Sequence, residues 1–113
     1  MGAPASVRAG SPAPRVLRAD GPRLDGLNAP LFRTVVASTL SAEAEDPAAG
    51  DVYIDLSAVS FIDSAGLGAL VACRRLVRPP RRLVLTGLQP AVQRVFAVTR
   101  MEKVFDFEGL DDD

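Results

Sequence analysis

The chain has 113 residues, 48% hydrophobic and 24% charged, which suits one globular domain with its own core and excludes a second domain, a disordered chain or a membrane span. Thirteen basic against 14 acidic side chains leave a net charge of −1, so no bulk electrostatic pull toward nucleic acid or anionic lipid is expected. Histidine is absent and Cys73 is the single cysteine, which removes the commonest general base, the commonest zinc ligand and any internal disulfide.

In chain order, residues 1–14 alternate Ala, Pro, Gly and Ser and read as a mobile arm with one edge-strand candidate at residues 5–9. Nothing there has the charged start, apolar run and small-residue cleavage site of a secretory signal, so a cytoplasmic protein is expected. Residues 15–18 form a short strand candidate closed by the turn Asp20-Gly21-Pro22. At Asn28 the pattern becomes helical: Asn28 suits a cap, Pro30 a first turn, and Leu31, Val35 and Leu40 recur at helical spacing beside Phe32 and Val36. Residues 41–50 are polar and broken by Pro47 and Gly50, which predicts a helix end and a solvated loop.

Residues 51–56 set Val52, Ile54 and Leu56 against Tyr53 and Asp55, the alternation of a strand in the middle of a sheet. After a turn, Asp63 or Ser64 is placed to cap a helix that carries Leu67, Leu70, Val71 and Leu76 toward the sheet and ends near Pro79-Pro80. Residues 82–86 repeat the strand signal. Pro90 opens a short helix with Val92, Val95 and Phe96 on one side, and residues 104–107 make a last strand. Strands alternating with helices imply crossover connections, hence an α/β fold with a mainly parallel or mixed sheet. So few helices suit a sheet covered on one face.

The segment from Phe61 to Gly68 falls where α/β proteins carry their sites, after a strand's C-terminal end and at a helix N-terminus. Its chemistry is narrowed by what it lacks. Gly66-Leu67-Gly68 begins like a dinucleotide fingerprint, yet Val71 stands where the third glycine belongs. A nucleophile elbow centred on Ser64 would need glycine at Ile62 and a histidine elsewhere. The sole lysine, Lys103, is too far along the chain to serve a phosphate-binding loop. No catalytic residue, metal site or cofactor is expected, and the chain does not read as an enzyme. Ser64 has a simple structural reading as the helix cap, worth about 1 kcal/mol. That reading is compatible with a regulatory one, because a phosphoryl group there would face the positive helix end while adding a charge of about −1.5 to −2 to the surface. Arg74, Arg75, Arg78, Arg81 and Arg82 crowd the end of the same helix and read as solvated cations there. Residues 109–113 read as a solvated acidic tail, and Cys73 as a small residue on a helix face.

The run from Asp55 to Gly68, Asp-Leu-Ser-Ala-Val-Ser-Phe-Ile-Asp-Ser-Ala-Gly-Leu-Gly, closely resembles the signature of STAS-domain anti-sigma factor antagonists. Leu24-Asp25 followed by Asn28-Ala29 is similar to the family's lead into its first helix, and the stretch from Leu88 to Phe96 is similar to its Pro-x-Val-x-Arg helix. The resemblance spans residues 15–107. It implies a STAS-like α/β domain over residues 15–108, with a mixed four- to five-stranded sheet and helices packed mainly on one face. It also implies that Ser64 is phosphorylated by a partner that is both anti-sigma factor and serine kinase. The unphosphorylated form would bind that partner and free a sigma factor for transcription, and a serine phosphatase would reset the switch. Asp25, Asn28, Asp63, Ser64, Ala65, Gly66, Leu67 and Gly68 are the partner-binding candidates this carries over. An alternative within the resemblance is an accessory STAS subunit that binds a membrane transport complex without phosphorylation. Neither reading involves direct contact with nucleic acid or insertion into a membrane. Two positions depart from the family pattern: Pro22-Arg23 stand where a polar or acidic residue is usual, and Ala65 where many members have a second hydroxyl.

Overall fold

The computed structural model describes residues 13–43 and 49–108. In chain order its elements are β1 (Ala13–Arg18), β2 (Arg23–Leu24), α1 (Ala29–Ala42), β3 (Ala49–Asp55), β4 (Phe61–Ile62), α2 (Ser64–Leu76), β5 (Leu83–Thr86), α3 (Pro90–Val98), a 3-10 turn at Met101–Lys103 and β6 (Asp106–Glu108). The edge-strand candidate at residues 5–9 and the acidic tail at 109–113 lie outside the described residues, as does most of the arm.

β3 holds the centre because its alternation gives it one wholly apolar side. Val52 and Ile54, with Leu56 just beyond the strand, are fully buried, while Asp51, Tyr53 and Asp55 are half-buried. The main sheet has the order β1-β3-β5-β6, and each of its pairs is parallel. Leu17, Ile54, Leu85 and Phe107 stand in one register row across all four strands, and successive residues on a strand point to opposite faces. All three helices share a single core cluster with the side of the sheet that carries this row. Val84, in the row of the opposite face, is buried yet stays outside that cluster. The helices therefore cover one face, as expected. No antiparallel strand occurs among the described residues, and β2 and β4 form a separate parallel pair.

The helices turn out differently in detail from the sequence expectation. In α1, Ala29, Val36 and Leu40 are buried and Phe32 packs against them, whereas Leu31 and Val35 are 67% and 52% exposed. The two apolar rows lie one residue apart, about 100° around the helix, so only one can face the sheet. In α2, Leu67 and Leu70 point inward with Ala69 and Cys73, while Val71 is half-buried and Leu76 is exposed. Cys73, fully buried, takes the inward position that Leu76 was expected to share. α3 buries Val92 and Phe96, and Phe96 meets Phe105 and Phe107 edge to face at 5.7 Å between ring centres. That contact anchors the chain on its way into β6, which begins two residues later than the sequence suggested.

The arginine cluster is also more structured than a solvated helix end. Arg74, Arg75 and Arg78 are exposed. Arg81 instead turns inward, donating from Nε to the Gly50 carbonyl at 2.6 Å and reaching Glu43 at 3.1 Å, and Glu43 also pairs with Arg15. Arg82 pairs with Asp51 at 3.3 Å. These contacts tie the start of β5 to the end of α1 and the start of β3. Among the described residues no helix is long and apolar enough to cross a membrane.

Candidate functional site

The site is built where two very short strands meet two helix starts. β2 and β4 pair over two residues each, Arg23 opposite Phe61 and Leu24 opposite Ile62. Leu24 and Ile62 are buried in the core, and their neighbours face outward, with the Arg23 guanidinium 4.2 Å above the centre of the Phe61 ring. The chain leaves β4 through Asp63, whose extended backbone puts its carboxylate over the first turn of α2, where Oδ1 accepts from the Gly66 N–H at 3.0 Å. Asp63 is therefore the cap, and Ser64 is the first residue of the helix proper. Ser64 is exposed, and no hydrogen bond joins its hydroxyl to another described residue. The capping role that the sequence left open between the two thus falls to Asp63 and leaves Ser64 Oγ free.

The lead into α1 lies alongside. Asp25 is the single buried charged side chain among the described residues. Its Oδ2 accepts from Arg23 Nε at 2.8 Å and its Oδ1 from the Leu27 N–H at 3.1 Å. The Arg23 bond first, and then the Leu27 N–H, hold the Asp25 carboxyl below its ordinary range against the opposing effect of partial desolvation. Asn28 does not cap α1 with its side chain. Its Oδ1 accepts from the Asp25 N–H at 2.9 Å and its Nδ2 donates to the Arg23 carbonyl at 2.7 Å, which closes the turn on itself. The two leads are joined through Leu24, whose carbonyl accepts from the Asp63 N–H at 3.4 Å.

Of the residues singled out from the sequence, Ser64, Ala65 and Gly68 are exposed, Asp63 and Asn28 are half-buried, and Asp25, Gly66 and Leu67 are buried. Gly66 and Leu67 thus shape the surface from behind instead of offering side chains to it. Between the starts of the two helices runs an open groove of about 350 Å³, lined by small residues, Gly26, Ala29, Ala65, Gly68 and Ala69, with Arg33 at its side. Sequence reasoning did not pair Arg23 with Phe61, whose contact depends on the β2–β4 pairing, nor foresee that Leu27, Leu31 and Val35 stand exposed, Leu27 to 94%. The helical spacing of Leu31 and Val35 is visible in the sequence, but spacing alone does not say which side of α1 faces the sheet. Among the described residues no group of His, Cys, Asp or Glu is placed to hold a metal ion.

The described residues form a parallel sheet covered on one face by helices, with an exposed serine at the start of the second helix. The chain belongs to the STAS domain family, whose model matches residues 6–111. It is 34% identical over 59 residues to the anti-sigma-B factor antagonist of Listeria monocytogenes, a match covering 51% of this chain and 52% of that protein. It thus spans about half the length of the curated relatives it matches. Among solved structures, an anti-sigma factor antagonist from Mycobacterium paratuberculosis superposes with a TM-score of 0.71 at 26% identity, covering 87% of this chain and 79% of that one. A sulfate transporter family protein from Wolinella succinogenes shares the fold with a TM-score of 0.61 at 14% identity, covering 96% of this chain and 88% of that one. The fold by itself therefore serves in more than one setting.

Proposed function

We propose that this chain is an anti-sigma factor antagonist whose unphosphorylated form binds an anti-sigma factor with serine kinase activity, and that phosphorylation of Ser64 ends the binding. The observation that carries this reading is the division of labour at the start of α2: Asp63 caps the helix and Ser64, exposed and unbonded, is left for a partner. In the transfer, Ser64 Oγ forms a bond to the γ-phosphorus of kinase-bound ATP as the bridging P–O bond breaks. ADP leaves and the hydroxyl proton passes to a base on the kinase. The nucleotide and catalytic groups belong to the partner, and this chain supplies the acceptor. A serine phosphatase returns the system to its start by hydrolysing the phosphoserine.

The direction of the switch follows from electrostatics. A phosphoryl group on Ser64 sits at the positive end of α2, so the fold tolerates it. A partner packed on the groove beside Ala65 and Gly68 would have to desolvate that group next to the Asp63 carboxylate, leaving buried charge without a counter-ion. Binding weakens by at least about 100-fold, since an unpaired buried charge costs about 3–5 kcal/mol. Release and capture of the anti-sigma factor then control sigma-factor-dependent transcription. The names of the Listeria and Mycobacterium relatives support the antagonist role.

The test is capture from the native cell with tagged wild type, Ser64→Ala and Ser64→Asp, followed by phosphorylation of each by the captured protein and radiolabelled ATP. Wild type and Ser64→Ala retain an ATP-binding serine kinase that Ser64→Asp loses, and only wild type is labelled. Retention of one membrane transporter by all three variants would instead establish the accessory-subunit reading. Absence of any kinase from all three rejects the switch.

A further inference from the structure

We propose that Arg23 is the positioning residue of the Ser64 turn: held between the Asp25 carboxylate and the Phe61 ring, it fixes β2 against β4 and so determines where Ser64 is presented. The β2–β4 pair is only two residues long, and so short a ladder is marginal without side-chain support. Leu24 and Ile62 supply that support on the inside. The Ser60 and Phe61 N–H groups also bond to the Pro22 carbonyl, at 2.8 and 3.0 Å, and on the outside Arg23 adds a side-chain bridge between the strands, its edge bonded to Asp25 at 2.8 Å and its face over Phe61 at 4.2 Å. A planar guanidinium makes both contacts at once, bonding in its plane and stacking on its face, which a lysine ammonium does not. The displacement of β4 would carry directly into the turn, because Asp63 follows Ile62 and its N–H bonds to Leu24, the neighbour of Arg23. Arg23 thereby acts on Ser64 through the backbone and need not touch it. This inference rests on the switch reading for its consequence, while its geometric content is testable on this chain alone.

The first arm is amide hydrogen exchange on the full chain, comparing wild type with Arg23→Ala and Arg23→Lys. Exchange at Asp63 and Gly66 accelerates by roughly tenfold or more in Arg23→Ala, as a locally opened segment should, while Val52 and Ile54 in β3 keep their protection. Arg23→Lys restores only part of it. Unchanged exchange at Asp63 and Gly66, or equal acceleration in β3, overturns the proposal. The second arm measures Ser64 phosphorylation by the kinase captured above. Arg23→Ala lowers kcat by about tenfold or more with KM little changed, the signature of a misplaced acceptor, and equal kcat for both proteins overturns the positioning role while leaving the switch intact. Where no kinase is captured, the switch fails and the exchange arm alone decides the role of Arg23.

Discussion

The Leu24 carbonyl oxygen occupies the space that a β-carbon on Gly66 would need, well inside van der Waals contact, and Ile62 Cγ1 is only 2.7 Å from the same point. This backbone-to-helix contact is what brings the lead into α1 and the start of α2 to a common surface. A side chain at position 66 would force the two apart.

Gly66→Ala is therefore expected to destabilise the fold by about 1–3 kcal/mol or more, because the obstructing atom is backbone and overpacking has nowhere to relax. Gly68→Ala is expected to do the opposite. Nothing lies within 4 Å of its added carbon, and exchanging glycine for alanine inside a helix contributes up to about 1 kcal/mol. Urea unfolding of the two variants beside wild type checks both signs. Partner binding should weaken in Gly68→Ala despite the gain in stability, since the groove is narrowed where it is exposed.

Leu27 and Leu31 offer a separation of folding from binding. Both are well exposed, Leu27 just before α1 and Leu31 in its first turn, so Leu27→Asp and Leu31→Lys should change stability by no more than about 0.5 kcal/mol. If the partner covers these two side chains, each variant loses about 1 kcal/mol or more of binding, as truncated interface anchors do. Thermal melting and calorimetric titration with the captured kinase read the two quantities. Unchanged affinity in both variants would remove the two leucines from the interface.

Acid should act through Asp25. Its folded carboxyl lies below the ordinary value of 3.8, through the Arg23 bond first and the Leu27 N–H second. A lowered folded pKa means the unfolded chain binds the proton more readily, so the stabilisation is present above about pH 4 and is lost as pH falls through the folded value. Asp55 acts in the same direction, held down chiefly by bonds from Ser57. Chemical denaturation between pH 2.5 and 6 should show a loss of stability toward acid that is shallower in Asp25→Asn, with Asp55 accounting for part of the slope that remains. An identical slope in the variant would show that Asp25 carries none of it.

Cys73 should behave as a core residue. It is fully buried, and desolvation pushes its thiol up to about 11, so thiolate is scarce at neutral pH and a thiol reagent reaches it only through opening of the fold. Its labelling rate should rise with urea in step with unfolding and should increase in Gly66→Ala. Rapid labelling of native wild type would contradict the packing of α2 on the sheet.

Much of this architecture was legible in the chain. The alternation of Val52, Ile54 and Leu56 placed the central strand, and the run from Phe61 to Gly68 placed a turn and a helix start after it, because those patterns are local and follow the period of a strand or the chemistry of a cap. Asp63 and Ser64 were both visible as capping candidates. Their sequence order did not say which would cap and which would stay free. That was settled by the backbone of Asp63, extended and held beside Leu24, which aims its carboxylate at Gly66.

Sequence alone determined that α1 has an apolar face at helical spacing, that the chain makes an α/β unit, and that a serine stands at the start of its second helix. Tertiary structure decided which way α1 is turned. Spacing fixes the angles between side chains on one helix but not the rotation of the helix about its axis, so packing against α2 and the sheet chose Val36 and Leu40 and left Leu31 and Val35 outside. It likewise decided the Asp25–Arg23–Phe61 arrangement, because a two-residue strand carries no periodic signal and Arg23 meets Phe61 only when distant segments pair.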